Sequence, residues 1–85
     1  MNITNIKITK VEGRSERLLG YADVTVNDAL AIHSIKIIRG DEKNFIAFPS
    51  IKKTDGTYSD IVHPINQATR KIFEDAILKE YELAE

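Results

Sequence analysis

The side chains that could carry chemistry in this 85-residue chain are few and widely spaced. Its two histidines, His33 and His63, stand thirty residues apart, and neither has a ligand-type neighbour at metal-binding spacing. The chain has no cysteine, which excludes disulfides, thiolate zinc sites and thiol nucleophiles. A zinc site would need both histidines and carboxylates to converge in space. His33 reads instead as a strand histidine hydrogen-bonded within the fold, and His63, next to Pro64, as a side chain that ties a loop to a helix start. Ser50 lacks the G-x-S-x-G setting of an activated nucleophile. Gly13, Gly20, Gly40 and Gly56 are scattered and form neither a phosphate loop nor a dinucleotide fingerprint. The acidic pairs Asp41-Glu42 and Glu74-Asp75 read as solvated charge. No catalytic constellation emerges, and no cofactor or small-molecule substrate is expected.

Charge placement says more. The formal net charge is −1, which taken whole disfavours a strongly basic nucleic-acid binder. Divided along the chain, residues 1–71 carry eleven Lys/Arg and eight Asp/Glu, a balance of +3. Residues 72–85 carry one Lys and five acids, a balance of −4. The bases gather at Lys52-Lys53 and at Arg70-Lys71. The second pair falls at the start of an expected helix, where the macrodipole favours acids, while Glu80, Glu82 and Glu85 crowd the opposite end. Pairing at i,i+4 (Arg70 with Glu74, Lys71 with Asp75, Asp75 with Lys79) offers one account. An anion site offers another: unpaired helix N–H groups joined by Arg70 and Lys71 suit a phosphate. The two are compatible, since a pair can tether an arginine that a phosphate later captures.

The elements that must position these residues follow from periodicity. Thirteen isoleucines against five leucines bias the chain toward sheet. Residues 3–11 form a first strand with Ile6 and Ile8 on one face, and residues 12–17 a polar loop. Residues 18–26 place Leu18, Gly20, Ala22, Val24 and Val26 on one face, and Asn27-Asp28 signals a turn. In the long strand 29–39, Leu30 and Ile32 share one parity and Ile35 and Ile37 the other. A β-bulge near His33-Ser34, or a strand buried on both sides, accounts for that switch. Residues 45–48 form a short strand stopped by Pro49. Lys52 to Thr57 reads as a hairpin tip centred on Asp55-Gly56, and Tyr58 to Val62 as its return strand.

From Asn66 to Ala84 the period changes: Phe73, Ala76, Ile77, Tyr81 and Ala84 recur at helical spacing, with Asn66 as N-cap. Ile72 and Leu78 fall beside this stripe. A single domain over 1–85 results, β-rich over 1–62 and helical over 66–84. No run reaches the ~18 apolar residues of a membrane span. The N-terminus lacks signal-peptide features, so the cytoplasm is the expected compartment. A chain this small without staples favours partnership, and a helix of roughly 28 Å is long for one small sheet to cover.

Four stretches then carry a resemblance: Ile32-His33-Ser34-Ile35, Phe45-Ile46-Ala47-Phe48-Pro49-Ser50, Asp60-Ile61-Val62-His63-Pro64-Ile65-Asn66, and Thr69-Arg70, with Ala76 and Tyr81 on the helix. In order and spacing they resemble the stage V sporulation protein G (SpoVG) family across essentially the whole chain. The resemblance implies a small, homodimeric bacterial cytoplasmic regulator with a sheet and a C-terminal helix. It further implies binding to DNA, and in some members RNA, that influences septation, sporulation or virulence-related expression, with no enzymatic activity. The family associates nucleic acid with basic residues around the helix start, here Thr69, Arg70 and Lys71. Two departures stand out: Ile51 intervenes before Lys52-Lys53, and Ile72 occupies a position where a polar or basic residue is expected.

The expectation is therefore an α+β homodimer, a small mostly antiparallel sheet followed by one long C-terminal helix. Thr69, Arg70, Lys71, Lys52 and Lys53 are its candidate nucleic-acid contacts. A second class is a protein-interaction module that docks through the acidic helix end and exposed Ile51, Ile72 or Leu78. A distant third, an enzyme, would need a closed pocket holding His33 and His63 near carboxylates.

Overall fold

The computed structural model describes residues 2–11 and 17–84. The expected polar loop therefore lies, except for Arg17, outside the described residues. Alternating apolar side chains draw three long strands into an antiparallel meander: β1 (Ile3–Lys10), β2 (Leu18–Val26) and β3 (Leu30–Ile38), completed by a three-residue β4 (Phe45–Ala47) in the order β1-β2-β3-β4. In β2 the even positions Ala22, Val24 and Val26 are buried and the odd positions only half-buried, the period expected of a sheet covered on one face. Asn27 and Asp28 both adopt φ of 53°, which gives the twist that joins β2 to β3. Gly20 is required for a different reason: a Cβ there would meet the Thr9 backbone oxygen at 2.6 Å.

The parity switch in β3 is a bulge. Pairing shifts between Ala22↔Ile35 and Val24↔Ile32, so His33 and Ser34 together face Asp23. Ser34 takes a φ of 64° and donates its N–H to Asp23 Oδ1 at 3.1 Å. The extra residue returns Ile35 and Ile37 to the side that buries Ile32, and all three enter the core.

The other layer is one helix, α1 (Gln67–Leu83). Asn66 caps it, its Oδ1 accepting the Thr69 N–H at 2.8 Å. Phe73 and Ile77 are buried on the sheet with Leu78 and Tyr81 packed beside them, whereas Ile72 is half exposed and stays outside the core. Phe73 meets Phe48 edge-to-face, ring centroids 5.7 Å apart. Burying an isoleucine as fully as Ile35, Ile37, Ile46 or Ile77 stabilises by about 1.5–3 kcal/mol each.

Between sheet and helix the chain forms a separate two-stranded arm, β5 (Ser50–Lys52) and β6 (Tyr58–Asp60). Pro49 ends β4 as expected, but Lys52 belongs to β5 rather than to the tip, and the return strand stops at Asp60. Ile61 N–H still bonds to the Pro49 oxygen at 2.8 Å, after which the chain turns toward the helix start. Among the described residues, no helix is long and apolar enough to cross a membrane.

Candidate nucleic-acid interface

Asn66 holds an extended φ of −151°, which turns the chain abruptly into α1 and leaves its first N–H groups facing outward. The first turn contains no acid. Thr69 is half-buried beside a small apolar notch shared with Leu30, Phe48, His63 and Phe73. Arg70, also half-buried, rests its guanidinium carbon 5.9 Å from the centroid of the Phe48 ring, a cation–π distance. It lines a groove of about 410 Å³ with Asp60, His63, Ile65, Asn66 and Gln67.

The expected i,i+4 pairing is realised only in part. Lys71 Nζ lies 3.9 Å from Asp75 Oδ2 with its side chain 79% exposed, an ion pair worth little in open water. Glu74 turns instead to Lys43, at 3.7 Å. Among the described residues Arg70 has no ion pair, because the acid expected to hold it is engaged by the loop before β4. The aromatic face of Phe48, and not a carboxylate, sets its position.

The second basic pair lies on the arm. Lys52 stands opposite Tyr58 at the end of β5, and Lys53 closes the tip through its N–H to Thr57 O at 2.7 Å. Gly56 supplies the φ of 92° that the tip requires. Asp55 Oδ1 accepts the Thr57 hydroxyl at 2.7 Å and the Thr57 N–H at 3.0 Å. These bonds, the hydroxyl's first, hold its carboxyl below the usual range. Both lysines are exposed, and neither lines the Arg70 groove. The fold thus joins Arg70 to the capped helix start, leaves Lys71 on the outer side, and keeps Lys52 and Lys53 apart on the arm.

Phe48, Asp60 and Gln67 join this surface without a sequence signal for the role. Phe48 reads as strand core, and it is core on one side while supporting Arg70 on the other. The histidines do not converge on a metal. His33 Nδ1 lies 3.4 Å from Asp23 Oδ1 at the bulge. His63 Nδ1 lies 3.0 Å from the Pro64 oxygen, and a carbonyl only accepts, so that nitrogen carries the proton. Among the described residues no group of three or more His, Asp or Glu side chains could hold a metal ion.

Comparison with known proteins identifies the family of the chain. The SpoVG family profile matches residues 1–83. A relative from Borrelia hermsii, whose name links it to septation, is 46% identical over 83 residues, covering 95% of this chain and 86% of its own length. A relative of the same name from Phytoplasma australiense is 44% identical over 82 residues, covering 96% of this chain and 84% of its own. One from Lachnospira eligens is 40% identical over 85 residues, covering 100% of this chain and 96% of its own. On this agreement over nearly its full length, the chain belongs to the SpoVG family.

Proposed function

We propose that this protein is a cytoplasmic, dimeric regulator of septation or sporulation that binds nucleic acid, DNA first and RNA second, by its phosphates. The observation that carries the reading is Arg70: set on Phe48 at a helix start without acids, and free of an ion pair among the described residues. Lys71 adds a second cation there, and Lys52 and Lys53 a separate contact. The septation names of the relatives support the regulatory setting. Asp60 lines the same groove as Arg70 and tempers it, so affinity is modest and sensitive to salt.

Four cations on each of two protomers make about eight phosphate contacts at most, a salt slope on duplex DNA no steeper than about −7. The test is binding of a DNA fragment against salt. Arg70→Ala/Lys71→Ala lowers the slope by about 3–4 in the dimer, and Asp60→Asn tightens binding. A slope unchanged by the double substitution removes the helix start from the interface.

A second reading, a protein-interaction module, is favoured by one observation: Ile51, Tyr58, Ile61 and Ile65 on and beside the arm are 56%, 69%, 64% and 88% exposed. A complex of that kind survives nuclease and moderate salt, and a phosphate-held one does not.

A further inference from the structure

Beside the Arg70 groove lies a second hollow of a different kind. It holds about 170 Å³ and is walled by Leu30, Ile32, Phe48, Val62 and Phe73. Among the described residues only His63 and Thr69 bring hydrogen-bonding side chains to it. The fold leaves it open, because α1 packs mainly on β1 and β4 and the start of β3 runs past that cover. Ile32 is buried, whereas Leu30, two residues earlier on the same side of the strand, is 60% exposed. A hollow well below roughly 300 Å³ is small for a cofactor or metabolite and has room for one aromatic or large aliphatic side chain.

The hollow and the groove adjoin. His63 and Pro64 line both. Phe48 walls the hollow while its ring lies 5.9 Å from the Arg70 guanidinium carbon. An apolar group seated in the hollow therefore stands one or two extended residues, about 3.3–3.6 Å each, from a cation with no ion pair among the described residues. Asp60 is the one carboxylate that lines either space, against two cations at the helix start, Arg70 and Lys71. The pair of spaces thus suits an apolar group joined to an anion. A nucleobase suits the hollow less well, since two side chains would leave most of its polar edge unmatched, and burying such an edge is costly.

We infer that the hollow and the groove together hold an extended segment of a partner protein, with one aromatic or large aliphatic side chain in the hollow and an acid one or two positions on against Arg70. For one consequence this rests on the proposed function: peptide and nucleic acid compete for Arg70, so a partner of this chemistry releases the protein from DNA.

The probe is a fluorescein-labelled six-residue peptide with one phenylalanine followed by two aspartates, titrated with the intact protein and read by anisotropy. It binds with a dissociation constant on the order of 100 μM. Replacing its phenylalanine by alanine weakens binding at least about tenfold, and Leu30→Ala in the protein about fivefold. Circular dichroism checks that Leu30→Ala folds, and the peptide variants carry the test if it does not. Combined, the two losses are less than additive, as contact requires. Arg70→Ala and aspartate-to-asparagine peptides couple in the same way, at about threefold each. Leu30→Ala leaves duplex DNA binding unchanged, and saturating peptide displaces a labelled DNA fragment from the wild type. Absence of saturable binding below about 1 mM, or of coupling between Leu30 and the phenylalanine, overturns the inference. A Leu30→Ala variant that loses affinity for a thymidine hexamer and not for the peptide overturns it by giving the hollow to a base. One whose sedimentation equilibrium shifts overturns it by giving the hollow to a second copy. Peptide bound without displacing DNA overturns the shared use of Arg70. A protein that binds no DNA overturns the proposed function, while the peptide titration still reads the hollow by itself.

Discussion

The four-stranded sheet and the two-stranded arm are built from the same local chemistry and meet different fates. Each is antiparallel, each carries isoleucine on its strands, and each turns at residues with positive φ, Asn27 and Asp28 in one and Gly56 in the other. The sheet buries Ile32, Ile35, Ile37 and Ile46 because α1 lies across that face. The arm leaves Ile51 and Tyr58 exposed because no second layer covers it among the described residues. Strand propensity makes a ribbon; only a facing layer makes it a core. An isolated hairpin is marginal by itself, so the arm is the part of the chain free to meet something else.

The largest effect that sharpens this contrast is truncation of matched isoleucines. Ile35→Ala, at a fully buried position, costs about 2–5 kcal/mol. Ile51→Ala, 56% exposed, stays within about 0.5 kcal/mol. Thermal or urea unfolding of the two variants reads the difference, and equal losses would show that the arm is buried in solution. Of intermediate size is the cap that joins the two regions: Asn66→Ala removes the acceptor of the Thr69 N–H and lowers stability by about 1 kcal/mol. Asn66 also lines the groove beside Arg70, so under the proposed function its loss lowers DNA affinity as well.

The smallest effect lies at the arm's tip and depends on pH. The Asp55 carboxyl is depressed in the folded chain by its bonds from Thr57. Its favourable contribution is therefore complete above the unfolded value of about 4 and is lost as pH falls through the lower folded value. The amide resonance of Thr57 should titrate below about pH 4, and Asp55→Asn should abolish that titration while the signals of β2 and β3 stay in place. A titration shared by the whole sheet would show that the two regions unfold as one.

Much of this is legible residue by residue. The change of parity between Ile32 and Ile35 narrows that stretch to a bulge or a strand buried on both sides, and the register of β2 against β3 decides for the bulge. Asn66 ahead of a helical period announces its cap. The partner of Glu74 is not legible, because the i,i+4 rule treats the helix as isolated, and Lys43 comes from a loop thirty-one positions earlier. The support of Arg70 by Phe48 is hidden for the same reason: alternation says which way a strand residue faces, not which helical turn crosses over it.

The sequence by itself determined the four strands of the main sheet, the turn at Asn27-Asp28, the change of parity in β3, the capped helix and the uneven spread of charge. Each depends on contacts between neighbours along the chain or on a period of two or 3.6. Tertiary structure decided which isoleucines are core and which are surface. It also decided that Glu74 is taken by Lys43, that Arg70 rests on an aromatic ring, and that β1 rather than β4 is the long open edge. These outcomes depend on how separate elements stack and cross, and no local pattern fixes that.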